Sequence, residues 1–146
     1  MGKILPRSVR ANNPGNLRIG QPWQGLMPRE RMTPEQKAET EFCVFADAAH
    51  GFRALATLLR TYQTKYGLDT PAQIITRFAP SSENNTQAYI NAFAKGVASE
   101  PDAKIDLSRR MKMFWACQAI AMHEAGGWDG YWTNEQLADG LDLAGF

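Results

Sequence analysis

Apolar residues recur every three or four positions between residues 52 and 66: Phe52, Leu55, Leu59, Tyr62 and Tyr66. This spacing places them on one face of a helix, so we predict an amphipathic helix across the segment. Asp47 has the side chain of a good N-cap, and Gly67 can adopt the left-handed conformation that ends a helix. The helix is therefore expected to run between these two residues.

Four further helices are predicted in the rest of the chain. The segment Thr70–Gln73 has the pattern of a capping box with a proline in the first turn, and the helix that it begins should end before Pro80. A third helix is expected over about 85–95, and a longer fourth helix from near Ser108 to Gly126 and the glycine that follows it. The last helix should follow a second capping box at 133–136.

The first 46 residues have little helical periodicity. The segment Asn12–Asn16 combines asparagine, proline and glycine, which is typical of a tight turn. Glu41–Phe45 alternates and is rich in strand-forming residues, which predicts a short strand. We therefore expect a mainly α (α+β) fold, with a small β lobe near the amino terminus of a single domain over 1–146. Its core should span about 10–127, and 128–146 would be an extension that completes the fold, covers a groove or contacts a partner.

Composition and charge exclude several classes of protein. The chain has 146 residues, 44% of them hydrophobic and 21% charged, which is typical of one folded domain. Lys and Arg number 16 against 15 acids, so the formal net charge of +1 argues against a nucleic-acid-binding protein. The chain has no run of about 18 apolar residues, so we predict no membrane-spanning segment. The amino terminus lacks the apolar segment of a signal peptide, so we expect synthesis in a bacterial cytoplasm without an export signal.

Cysteine and histidine usage predicts no cofactor. Cys43 and Cys117 lie 74 residues apart in apolar surroundings, so buried free thiols are expected, with a disulfide as the alternative. His50 and His123 have neither triad nor metal-ligand spacing, and no cluster of His and Cys is present. We therefore predict no metal site and no cofactor, and we expect a monomer.

Glu124 is the most informative candidate for catalysis. Phe114, Cys117, Ala121 and Glu124 are three or four residues apart, so an apolar helix face ends in a carboxyl group. Partial burial and the negative end of the helix dipole should both raise the pKa of this carboxyl. A carboxyl that stays protonated near neutral pH suits a general acid for glycoside cleavage. The alternative is a solvated residue at the end of a helix.

A second group of candidates could bind sugars. The Asn12–Gly20 turn has exposed amides that suit hydrogen bonds to hydroxyl and acetamido groups, and the alternative is an ordinary surface turn. Aromatic residues that could stack on pyranose rings, or simply belong to the core, are Trp23, Trp128, Tyr131 and Trp132. The candidate substrate-binding residues are Asn13, Asn16, Arg18, Trp23, Glu83, Asn84 and Tyr89.

Two further segments could line a cleft. Residues 81–86 are interpreted first as a helix cap, and alternatively as the polar wall of a groove that leads to Tyr89. Glu41, or Glu39, could supply a second carboxylate across the cleft. The alternative for both glutamates is a charged residue on an exposed edge.

Eight short segments form a recognisable combination: Asn13–Arg18, Trp23–Gly25, Phe42–Phe45, Gly51–Leu55, Arg77–Pro80, Glu83–Thr86, Ala88–Ile90 and His123–Gly126. Together they resemble a phage and prophage protein family whose members are described as virion structural proteins or as peptidoglycan hydrolases. The resemblance covers about residues 10–127.

A more distant similarity concerns mechanism. Asn16–Gly20 and the segments after it are similar in order to bacterial N-acetylglucosaminidases of the flagellar and autolysin type, which belong to the lysozyme superfamily. Those enzymes have their catalytic glutamate upstream of this turn, whereas the residues before Asn16 include no acid. Ala121–Trp128 is similar to the missing catalytic motif. We therefore hypothesise a circularly permuted lysozyme-like arrangement, in which Glu124 faces the Asn13–Gly20 turn across a groove.

The resemblance implies cleavage of peptidoglycan glycan strands, as a muramidase, glucosaminidase or lytic transglycosylase. Glu124 would protonate the glycosidic oxygen, and Glu41 would activate water. If no second carboxylate reaches the cleft, a substrate acetamido or 6-hydroxyl group must take that role. A phage endolysin or virion-associated lysin would act in the periplasm or cell wall, or be carried in the virion. The alternatives are a non-enzymatic phage structural or cell-wall-binding protein and a helical interaction module.

Overall fold

The computed structural model describes residues 4–80 and 85–146, and over these residues the chain forms seven α-helices and no strand. A 3₁₀ turn at Arg29–Arg31 lies between the first two helices. The helices are α1 Arg7–Arg10, α2 Pro34–Lys37, α3 Ala48–Tyr66, α4 Pro71–Phe78, α5 Thr86–Gly96, α6 Arg110–Ala125 and α7 Asn134–Leu143. None of the described helices is long and apolar enough to cross a membrane.

The predicted helix ends are confirmed where side chains cap them. The Asp47 carboxylate accepts a hydrogen bond from the backbone N–H of His50 at the start of α3, and Gly67 ends that helix at φ 66°. Thr70 and Thr133 each form a complete capping box at the start of α4 and α7. These caps satisfy backbone N–H groups that have no partner inside the helix.

The predicted strand and β lobe are wrong for the described residues. The segment 41–46 is extended, but its pairing consists of two isolated antiparallel bridges, from Arg18 to Phe42 and from Leu26 to Phe45. Turns at 19–21 and 24–25 redirect the partner segment between these bridges. Each edge of the extended segment therefore gains only a few hydrogen bonds, which is too few to form a ladder.

The core is built around α3, which packs most extensively against α7. Phe52, Leu55 and Leu59 on α3 are fully buried. The Phe52 ring meets the Trp132 ring edge-on at 5.4 Å between centroids, and Leu137 on α7 is also fully buried. Residues 128–146 therefore complete the core, which was one of the roles left open for them.

The turn at 11–17 is held tightly against the start of α3. A Cβ atom placed on Gly51 would lie 2.0 Å from the carbonyl oxygen of Asn12, so only glycine allows this approach. The buried Asn13 amide donates to the carbonyl oxygens of Leu17 and Cys43, and its oxygen accepts from the N–H of Leu17. This network fixes the turn that faces the end of α6.

Candidate functional site

Glu124 lies in the last turn of α6, just before the helix ends at Gly126 with φ 75°. Cys117 and Ala121, which precede it on the same face, are fully buried, whereas Glu124 is half-buried. The buried stripe of α6 thus ends in a carboxyl group at the protein surface, as the spacing of these residues predicts.

Both carboxyl oxygens of Glu124 are held by side chains from distant segments. The Tyr89 hydroxyl donates to Oε2 at 2.7 Å, and the Asn16 side-chain amide donates to Oε1 at 2.9 Å. Because the two donors come from α5 and from the amino-terminal turn, they fix the orientation of the carboxyl group. Glu124 therefore faces the Asn13–Gly20 turn.

Tyr89 is a buried support for Glu124. Its ring is stacked on His123 at 3.7 Å between centroids, and it meets Phe78 edge-on at 6.3 Å. Burial, and then the adjacent Glu124 carboxyl, raise the pKa of Tyr89 well above its ordinary value. The hydroxyl consequently stays protonated, and it can donate to a carboxylate or accept from a carboxylic acid.

Asn16 supports Glu124 from the opposite side. Its backbone is left-handed at φ 48°, a conformation that asparagine tolerates better than most residues. Its side-chain oxygen is buried and has no hydrogen-bond partner among the described residues. A rotation of the amide would therefore present this oxygen to Glu124 in place of the nitrogen.

The carboxyl group opens onto a small groove of about 220 Å³. Its described lining residues are Gly15, Asn16, Arg18, Phe42, Phe78, Ala79 and Glu124. Glu124 is the one carboxylate among them. Arg18 lies over the Phe42 ring, with its guanidinium carbon 5.1 Å from the ring centroid, so the lining of the groove contains a cation as well as a carboxyl group.

A second cavity of about 350 Å³ shares a wall with this groove at Gly15, Asn16, Arg18 and Phe78. Its remaining lining residues are Leu17, Leu58, Tyr62, Arg77 and Pro80. The second cavity therefore adjoins the groove of Glu124 and lies at the carboxyl end of α4. Two adjoining cavities with polar and apolar lining residues are suited to a ligand with several polar groups.

The structure brings together three of the predicted site residues, Asn16, Arg18 and Glu124, and places Tyr89 behind them. Asn13 is different, because its amide is buried and its hydrogen bonds are all used inside the protein. It is a scaffold for the turn and has no surface for a substrate. Its predicted role as a substrate-binding residue is therefore corrected.

The other predicted residues either do not line this groove or lie outside the described part of the chain. The exposed Glu41 carboxylate lies 3.6 Å from Arg7 and 4.0 Å from Arg18, and it does not line the groove. Trp23 is half-buried against the core and does not line the groove either. Glu83 and Asn84 lie outside the described residues.

Glu39, the alternative second carboxylate, has a structural role. Arg7 donates to both of its oxygens, at 2.5 and 2.6 Å, and the backbone N–H groups of Glu41 and Phe42 donate to the same carboxylate. The hydrogen bonds from Arg7, above all, lower the pKa of Glu39 to about 2. This carboxylate is therefore an ionised anchor for the extended segment 41–46.

The sequence did not single out Phe78, Arg77 and Tyr62 as site residues, although 77–80 contributed to the family resemblance. They lie on the ends of α3 and α4, and only the packing of these helices brings them to the groove. Cys43 and Cys117 are buried and unpaired, as predicted. The described residues include no group of His, Cys, Asp or Glu side chains that could hold a metal ion.

A comparison with known proteins relates the chain to a bacteriophage protein. No protein-family model matches it. The chain is 36% identical over 104 residues to Protein P5 of Pseudoalteromonas phage PM2. The matched region is 68% of this chain and spans 61% of the phage protein. The chain is therefore related to a phage protein over part of that protein's length.

Proposed function

We propose that this chain is a phage enzyme that cleaves the glycan strands of peptidoglycan, with Glu124 as the general acid. The observation that carries the proposal is the Glu124 carboxyl, held by Tyr89 and Asn16 at a groove that shares four lining residues with a second cavity. Similarity to a phage protein supports action on the cell wall, because phages must breach the wall to enter or leave a host.

The surroundings of Glu124 suit a group that gives up and regains a proton. Glu124 would transfer its proton to the glycosidic oxygen as the bond between that oxygen and C1 breaks. Tyr89 can donate to the resulting carboxylate and accept from the acid form, and Asn16 can do the same through its nitrogen or its oxygen. Neither protonation state would leave the carboxyl without a partner.

The nucleophile is proposed to come from the substrate. Glu124 is the one carboxylate among the described residues that line the groove, and Glu41, which lies 3.6 Å from Arg7 and 4.0 Å from the groove residue Arg18, does not itself line it. The muramic 6-hydroxyl would then attack C1 and pass its proton to Glu124, which gives an anhydro-muramic product. Attack by the acetamido oxygen is the other reaction that needs no second carboxylate.

The hydrogen bond from Asn16 to Glu124 also supports the circularly permuted lysozyme-like arrangement. That hypothesis requires the carboxyl at the end of α6 to face the Asn13–Gly20 turn, and the two are in direct contact. A catalytic helix at one end of the chain can serve the same groove as one at the other end, because chain termini commonly lie close together.

A non-enzymatic phage structural or cell-wall-binding protein is the second candidate. The presence of one carboxylate among the described groove residues favours it, since a groove can bind glycan without cleaving it. In that case Glu124 would position Asn16 rather than transfer a proton. Removal of its acidity would then leave glycan binding almost unchanged.

Digestion of purified peptidoglycan, followed by mass spectrometry of the released fragments, tests the proposal. The wild-type protein should release fragments with anhydro-muramic ends, and Glu124→Gln should reduce the release by about 10²-fold or more. Glu41→Gln is the matched control and should keep nearly full activity. Thermal unfolding should first show that all three proteins are folded.

Three results would count against the proposal or a part of it. Absence of release by folded wild-type protein from several peptidoglycan types would refute the enzyme and favour the binding protein. Activity that survives Glu124→Gln would remove Glu124 from the mechanism. Loss of activity in Glu41→Gln, with reducing ends in the wild-type products, would replace the substrate nucleophile with water.

A further inference from the structure

The second cavity, which we call the Arg77 limb, is lined by Leu58, Tyr62, Arg77, Phe78 and Pro80 together with Gly15–Arg18. It shares Gly15, Asn16, Arg18 and Phe78 with the groove of Glu124. A ligand that passes Glu124 could therefore extend a substituent into the limb. The chemistry of the limb indicates what kind of substituent this is.

The Arg77 side chain contacts two aromatic rings beside the limb. It lies in the last turn of α4, and its guanidinium carbon is 4.3 Å from the ring centroid of Tyr66 and 5.5 Å from that of Tyr62. Contact with aromatic faces restricts an otherwise flexible side chain, so less entropy is lost when it binds a ligand. Arg77 is thus held at the limb before any ligand arrives.

The guanidinium has no carboxylate partner among the described residues. Arg7 and Arg110, in contrast, form ion pairs with Glu39 and Asp142. The described residues that line the limb include no acid. A guanidinium group held in this way is matched in shape and charge by a carboxylate, which it can bind through two parallel hydrogen bonds.

We propose that the Arg77 limb binds a carboxylate of the peptide stem that peptidoglycan carries on its muramic sugars. The proposal rests on the function proposed above, because it assumes that a glycan strand passes Glu124. It adds a reason for the enzyme to distinguish peptidoglycan from an uncharged amino-sugar polymer of the chitin type. Tyr62 and Tyr66 orient Arg77, and Asn16 connects the limb to the acid.

Binding of small, uncleaved ligands tests this inference separately from catalysis. We would titrate the protein with a disaccharide-peptide, with the same compound after its carboxylates are converted to amides, and with chitobiose, and record NMR shifts of the backbone amides. Conversion to amides should weaken binding about tenfold and bring it close to that of chitobiose. A peptide-free disaccharide with a free lactyl carboxylate distinguishes the lactyl group from the stem as the source of the charge.

Substitutions then assign the effect to Arg77. Arg77→Gln should weaken binding of the disaccharide-peptide about tenfold and leave chitobiose unchanged, whereas Arg77→Lys should retain part of the preference. Arg60→Gln is the matched control: Arg60 also lies over an aromatic ring, 4.7 Å from the centroid of Phe146, but does not line the limb. This variant should change neither affinity.

The failures of the two proposals are distinguishable. If conversion of the carboxylates to amides has no effect, if Arg77→Gln weakens chitobiose equally, or if no ligand binds, the inference about the limb is overturned. Tighter binding of the lactyl compound than of the disaccharide-peptide would overturn the assignment to the stem. If Glu124→Gln cleaves peptidoglycan as well as wild type while the preference at Arg77 persists, the proposed catalytic role fails and the limb stands.

Discussion

Replacement of Gly51 by alanine tests whether the amino-terminal turn is held as closely to α3 as its geometry indicates. The added Cβ would lie 2.0 Å from the carbonyl oxygen of Asn12 and 2.7 Å from Cδ of Pro14. Ordinary contacts between non-bonded heavy atoms are about 3.5 Å long, so the turn would have to move by roughly 1.5 Å. A shift of that size also displaces Asn13 and Asn16.

The cost can be estimated from the hydrogen bonds that this movement breaks. Three hydrogen bonds that join the turn to the segment 43–45 are at risk, each contributing about 1 kcal/mol to stability: Asn13 to the carbonyl of Cys43, Asn12 to the carbonyl of Phe45, and the Phe45 N–H to the carbonyl of Ala11. Alanine at this position in α3 gains about 1 kcal/mol in helix propensity over glycine. The net loss is therefore about 2 kcal/mol, which lowers Tm by roughly 4–8 °C for a domain of this size.

Urea and thermal unfolding of Gly51→Ala would measure this loss, with Thr64→Ala as the control. Thr64 is exposed on the same helix, so its replacement should change stability by less than about 0.5 kcal/mol. Gly51→Ala should also lower peptidoglycan release, because Asn16 moves away from Glu124. A Tm equal to or above that of the wild type would refute the close approach and the reasoning built on it.

Two further predictions concern an ion pair and the carboxy-terminal helix. The pKa of Glu39 is lowered to about 2 in the folded protein, so its bond with Arg7 stabilises the fold above the ordinary value of 4.5 and is lost as pH falls towards 2. Glu39→Gln should cost only about 1–2 kcal/mol of stability at pH 7, because the Arg7 side chain is 42% exposed and the ion pair is partly screened. In urea unfolding, the stability of this variant should approach that of the wild type as pH falls below 4.5, whereas replacement of the exposed Glu35 by glutamine should show no such pH dependence. A stability difference between Glu39→Gln and wild type that stays constant down to pH 3 would refute the contribution of the Arg7–Glu39 pair. Leu137→Ala should lower the free energy of unfolding in urea by about 3 kcal/mol, because Leu137 is fully buried. Leu143 is half-exposed on the same helix, so Leu143→Ala should cost under about 0.5 kcal/mol. Equal costs for the two variants would contradict the packing of α7 in the core.

The ends of most helices were predictable because their determinants are local. Thr70 and Thr133 bond to groups three residues away, so a capping box is visible in the sequence itself. The start of α6 was less accurate: Ser108 looked like its beginning, but the Ser108 hydroxyl bonds to Asp106 and the helix starts at Arg110. A polar residue can cap a turn just before a helix as readily as the helix itself.

The strand could not be judged from its own residues. The residues of Glu41–Phe45 predicted a strand, but Cys43, Val44 and Phe45 are all buried, so burial does not alternate along the segment. A strand also needs a partner that runs beside it for several residues, and the turns at 19–21 and 24–25 prevent this. Partner continuity depends on the path of another segment, which a local pattern does not contain.

The position of Glu124 at the end of an apolar helix face could be predicted from the sequence, but its hydrogen-bond partners could not. Glu124 follows from three- and four-residue spacing on one helix, which is local information. Its bonds to Tyr89 and Asn16 join residues 35 and 108 positions apart. The pattern placed both among the substrate-binding residues, and the structure shows both donating hydrogen bonds to the Glu124 carboxyl group. The packing of α5 and of the turn against α6 decides these contacts.

The same turn supports both the fold and the site, and this determines which variants are informative about function. Gly51 allows the turn to approach α3, Asn13 holds the turn together by hydrogen bonds, and Asn16 donates a hydrogen bond to Glu124. Changes at these residues should therefore lower stability and activity together. Arg77 lies outside this set of contacts, on the exposed end of α4. A change at Arg77 should therefore alter ligand preference at unchanged stability. If a variant of Asn16 loses activity, its stability must be measured before the loss can be assigned to the chemical step. If a variant of Arg77 changes the ligand preference, the change reports on ligand recognition directly.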